Sequence, residues 1–92
     1  MAGHRKGSLG RLANWLEIPH DIVHDLPRIT MLGNVQVLVE NHRGIIEYGS
    51  FLVRIKLVRG ELAISGTDLS LASLQAEQIL VEGKVGEIRY AE

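Results

Sequence analysis

Phe51-Leu52-Val53-Arg54-Ile55-Lys56-Leu57-Val58 decides the fold class. Side chains alternate between the two faces of a strand, so Phe51, Val53, Ile55 and Leu57 share one face while Arg54 and Lys56 take the other. Helical spacing would scatter these apolar positions around the circumference, so the run reads as a strand with one buried side. Gly49-Ser50 before it and Arg59-Gly60 after it supply turn chemistry.

Working outward, the same pattern recurs in short runs rich in Val, Ile and Leu. Upstream, residues 28–32 and 35–40 form two strands joined by Gly33-Asn34, a two-residue loop that tolerates positive φ, and Val35, Val37 and Val39 share a core face. Residues 45–48 form a third strand. Downstream, strands are expected over residues 61–65, where Leu62 and Ile64 point inward, and over 69–74, 79–82 and 85–90. Residues 75–78 are one helical turn or a loop. The fold class is mainly β. An antiparallel meander folded over as a small sandwich or barrel-like roll is favoured, because its turns connect antiparallel neighbours. A rung-like stack of short strands is the alternative, since Gly-x-Leu-x-Ile-x-Gly from Gly60 onward also suits stacked rungs.

Before Pro27 the pattern changes. Residues 1–7 are basic and Gly-containing and read as a flexible arm. Residues 8–27 read as a helical segment: Ser8 caps it, and Leu9, Leu12, Ala13 and Leu16 fall on one helical face. Pro19 ends that helix near Ile18 and opens a short further turn. Arm, helix and the β-rich region over 28–92 form one folding unit, because 92 residues suffice for one core and not for two.

Composition narrows the function. The chain is 46% hydrophobic and 23% charged, as an ordinary globular protein is, and its net charge of -1 argues against a nucleic-acid binder driven by excess positive charge. With no cysteine, thiolate metal sites and thiol nucleophiles are excluded. No apolar run reaches the roughly 18 residues of a spanning helix, and the N-terminus lacks a signal-peptide apolar block, so a cytoplasmic protein is expected.

Three groups of residues merit weighing as sites. His20 and His24 stand four apart with Asp21 and Asp25, but they lack a third ligand signal and read as a solvated helix face rather than a zinc site. Asn41-His42-Arg43-Gly44 groups an amide, an imidazole and a guanidinium at a strand connection. Asn41, His42 and Arg43, together with Trp15, are candidate partner-binding residues; for the first three this is set against the reading that Asn and Gly serve the turn itself. Trp15, near Arg5, Lys6 and Arg11, allows at most weak contact with an anionic membrane. Its expected place is over an exposed sheet edge or on a second copy. No cofactor, metal or catalytic set is expected, because no serine stands in a nucleophile elbow and no acid–base pair can be singled out. A small-ligand or polysaccharide module with Arg43, His42 and Tyr48 at a shallow site is the alternative to a non-enzymatic assembly protein.

Leu26-Pro27-Arg28-Ile29-Thr30-Met31-Leu32-Gly33, Val39-Glu40-Asn41-His42-Arg43-Gly44-Ile45 and Ile79-Leu80-Val81-Glu82-Gly83-Lys84-Val85 together resemble the YabP/YqfC family of sporulation proteins, and within it the YqfC branch. The resemblance covers nearly the whole chain except residues 1–10. It implies a structural or adaptor protein in spore formation or spore envelope assembly, made in the mother cell of an endospore-forming bacterium. It also implies protein partners, among them a membrane-associated sporulation protein at the forespore membrane, and leaves homo-oligomerisation open.

Overall fold

The computed structural model describes residues 26–92. The expected arm, the helix, Trp15 and the His20/His24 pair lie outside the described residues. Six strands follow one another: β1 (Arg28–Leu32), β2 (Gln36–Glu40), β3 (Ile45–Tyr48), β4 (Leu52–Lys56), β5 (Glu61–Leu74) and β6 (Gln78–Ala91). There is no helix among the described residues; Gln75 to Glu77 form the tip between β5 and β6.

All strands join one antiparallel sheet in the order β1-β2-β6-β5-β4-β3, open at β1 and β3. The meander expectation holds from β3 to β6. It fails at the start, because the β1–β2 hairpin docks against β6 instead of β3: Gln36 pairs with Glu82 and Glu40 with Gln78. Uniformly antiparallel pairing also replaces the alternative of stacked rungs.

The four separate strands expected after Gly60 are two strands of 14 residues each. Their mutual pairing shifts register between Ser65 and Gly66, between Thr67 and Ser70, and between Leu71 and Ser73. An extra residue on one strand resets which face the following side chains take. Alternation therefore breaks where the chain does not turn, which is why residues 66–68 and 83–84 resemble turns. Two glycines permit the close approach at this bend. A Cβ on Gly66 would run into the Lys84 carbonyl oxygen, and Gly83, at φ +139, sits against the Asp68 carbonyl. Both hairpin loops are stitched to the same bend: Gly66 N–H donates to Phe51 O at 3.0 Å, and Gly83 N–H to Val35 O at 3.1 Å.

Register and chain reach together require the sheet to fold across this ribbon. Glu40 is paired beside Gln78 near one end of β5–β6, whereas Ile45 pairs with Ile55, which pairs with Leu62 near the other end. On a flat sheet those points would stand more than about 30 Å apart at 3.3 Å per residue. Five peptide steps from Glu40 to Ile45 reach at most about 18 Å. The two ends of the ribbon must come together, and the apolar faces of its two halves enclose one core. Val37 and Val39 from β2, Val53 and Ile55 from β4, Leu62 and Ile64 from β5, and Ile79 and Val81 from β6 are all buried, joined by Leu57, Leu69 and Val85. Each sealed Val, Leu or Ile contributes roughly 1.5–3 kcal/mol relative to exposure.

Two expected core residues are not in it. Val35 belongs to a three-residue loop closed by Leu32 opposite Gln36, and Phe51 precedes β4; both are exposed. In each case the loop takes one residue more than its Gly-containing dipeptide, and the added residue leaves the strand face.

Candidate functional site

The connection from Asn41 to Gly44 closes the folded ribbon. Its backbone bends sharply at both ends, with Asn41 at φ 64 and Gly44 at φ 124. Asn is among the few side-chain-bearing residues that visit the left-handed region readily, and glycine tolerates it at no steric cost. Between those bends the chain crosses from one half of the sheet to the other. Asn41 N–H donates to Glu77 O at 2.8 Å on the ribbon tip, while Arg43 N–H donates to Lys56 O at 2.7 Å and Lys56 N–H to Gly44 O at 2.8 Å.

The side chains repeat this bridging. His42 is the buried polar residue among the described residues, only 6% exposed. Gly44 N–H donates to its Nδ1 at 2.9 Å, so the ring proton sits on Nε2, which donates to Gln75 O at 3.0 Å. The imidazole thus links the connection to the β5–β6 tip. Asn41 Nδ2 donates to Leu26 O at 2.8 Å, fixing the entry of the chain into β1, and its Oδ1 accepts from Arg43 Nη1 at 2.9 Å. Arg43 Nη1 also donates to His42 O at 3.0 Å. Arg43 is exposed, but its guanidinium is folded back on its own connection.

Asn41, His42 and Arg43 are therefore brought together as a brace directed at the protein's own backbone. Both ring nitrogens of His42 are engaged, and Tyr48 lies exposed on β3. No cluster of three or more His, Asp or Glu residues fit to hold a metal occurs among the described residues. Among the described residues no helix is long and apolar enough to cross a membrane.

The two sheet edges differ. Cross-strand pairing places Ile29 opposite Val39 and Met31 opposite Val37, on the core-side face, yet Ile29 is 39% and Met31 49% exposed. Leu26, Leu32 and Val35 are exposed beside them. At the other edge β3 carries a register shift between Ile45 and Glu47, and Glu47 accepts from Arg54 Nη1 at 3.2 Å. The Arg54 guanidinium also grips Glu61 with two bonds of 2.7 Å, from Nε and Nη2. Those hydrogen bonds hold the Glu61 carboxyl below its ordinary pKa and raise that of Arg54.

The model of the YabP family matches residues 25–92. The chain belongs to the YabP family. It is also 41% identical over 91 residues, 98% of each chain, to the uncharacterized protein YqfC of Bacillus subtilis (strain 168). The YabP-family match begins one residue before Leu26, whose carbonyl Asn41 captures, and runs to the end of β6. The three motifs that carry the resemblance lie close in this YabP-family fold. The first forms the entry and β1, the second the end of β2 with the brace, and the third the β6 segment that pairs with β2 and ends at the Gly83 bend. Reading the sequence missed the exposed face of β1, because Ile29 and Met31 carry the same alternation as buried positions.

Proposed function

We propose that the chain is a non-enzymatic sporulation protein, a structural or adaptor module in spore formation or spore envelope assembly. The observation that carries this reading is the division of labour between its polar and apolar groups. The brace residues spend their hydrogen bonds on the fold itself, while large apolar side chains stay uncovered along β1. An open strand edge flanked by apolar side chains suits recognition of another polypeptide better than a reaction. The resemblance to the YabP/YqfC sporulation proteins supports the process, and the partner class that goes with this reading is a protein, with a membrane-associated sporulation protein in the mother-cell cytoplasm as the first to seek.

A strain lacking the gene, scored for heat-resistant spores and envelope morphology, tests the process; unaltered spore yield and envelope would overturn it. Affinity capture of the tagged full chain from sporulating cells tests the adaptor role. Recovery of envelope or forespore-membrane proteins is the expected outcome, and their absence under mild cross-linking would remove that role.

A further inference from the structure

We propose that β1 is a self-association edge through which two copies join by antiparallel β1–β1 pairing into one continuous sheet. The inference rests on the assembly reading above and names a partner for it: a second copy of this chain.

Alternate residues of an edge strand direct their N–H and C=O groups away from the sheet, ready to pair with another strand. Proteins usually blunt such edges with bulges, prolines, lysines or inward charges. β3 has a register shift and is anchored through Glu47, whereas β1 pairs with β2 in unbroken register from Arg28 to Leu32 with all five residues exposed. Among the described residues no strand lies beyond it.

The sequence of β1 is self-complementary. A two-fold axis perpendicular to the sheet keeps both apolar faces on one side and pairs residues of like parity. Centred on Thr30, it sets Thr30 against Thr30 of the second copy, Ile29 against Met31 and Arg28 against Leu32. Ile29 and Met31 lie beside Val39 and Val37, so each would be flanked by apolar side chains on both sides. Charge fits the same register. Arg28, the only charged residue of β1, stands 3.8 Å from Glu40, and antiparallel pairing carries the two Arg28 residues to opposite ends of the junction. Directly opposed like charges, which destabilise strand pairs, are avoided.

Sedimentation of the full chain at high micromolar concentration should give twice the monomer mass, and Met31→Lys should weaken the dimer by at least about tenfold. A monomer throughout would overturn the proposal without touching the adaptor role, since a monomer that captures envelope proteins is still an adaptor. The absence of cysteine allows a test of register. Under mild oxidation Thr30→Cys should cross-link to a covalent dimer, and Tyr48→Cys on the opposite edge should not. Equal or faster cross-linking at Tyr48, or a dimer unaffected by Met31→Lys, would refute the β1 junction. So would a monomer whose β1 amides are already protected from exchange, because another segment of the chain would then cover the edge.

Discussion

Val37 and Val39 on β2 are fully buried, while Met31 and Ile29, directly opposite them on β1, remain 49% and 39% exposed. The two strands are neighbours with the same apolar alternation and share a face, so local sequence cannot account for the difference. What differs is cover. The folded ribbon brings the other half of the sheet over β2 and stops short of β1. Burial in this molecule follows from where the bend in β5–β6 places its second half, and propensity says little about it.

The comparison is tested most severely by the same substitution on both strands. Val39→Asp puts an unpaired carboxylate into the core and should cost about 4 kcal/mol or more, enough to unfold a small domain. Ile29→Asp should cost about 1 kcal/mol in dilute protein, as surface changes do. Urea midpoints of the two variants check this, and equal losses would mean that β1 is covered in solution.

Next in size is the bend itself. In Gly66→Ala the new Cβ meets the Lys84 carbonyl, and neither backbone can withdraw without breaking the ribbon. About 3 kcal/mol should be lost, at the upper end of overpacking costs. If the fold across the ribbon is what seals β2, amide exchange in β2 should accelerate with it. Continued protection of Val37 and Val39 in a destabilised variant would separate burial from the bend.

His42→Ala should follow at about 2 kcal/mol, since it removes the buried ring and leaves Gln75 O and Gly44 N–H without their partner. Its effect should concentrate at the ribbon tip and the start of β3, and nitrogen-15 shifts of the wild-type ring should report the proton on Nε2. An unchanged urea midpoint would mean that the brace does not depend on the His42 ring.

These residues also mark where reading the sequence succeeds. Residues 36–40 and 52–57 were legible because alternation is uninterrupted and each has one solvated face. Asn41 and Gly44 were legible as turn residues because left-handed backbone favours those two types. The partner of β2 was not, since pairing between residues 36–40 and 78–82 leaves no local mark. Neither was the task of His42, whose ring reaches a carbonyl 33 positions away. Continuity of β5 and β6 was hidden by bulges, which break alternation just as a turn does. The core was thus readable strand by strand and the antiparallel run from β3 to β6 with it, while the docking of the β1–β2 hairpin on β6 was not.

The smallest expected effect compares the ion pairs at the two edges. Arg28 and Glu40 approach to 3.8 Å with Arg28 largely exposed, whereas Arg54 holds Glu61 at 2.7 Å and Glu47 at 3.2 Å in a half-buried cross-strand cluster. Because the hydrogen bonds from Arg54 lower the Glu61 pKa on folding, the unfolded chain binds this proton more tightly than the native one does. The cluster therefore stabilises above the unfolded carboxyl pKa and loses that contribution as pH falls through the folded value. Glu61→Gln should lower the urea midpoint modestly at neutral pH, and the gap from wild type should close once the pH drops below the folded pKa. Added salt should narrow the gap at neutral pH as well, since the cluster is partly solvated. Glu40→Gln at the β1 edge should lower the urea midpoint less than Glu61→Gln at neutral pH, and an equal loss there would mean that the β3 edge is no better fastened than the β1 edge.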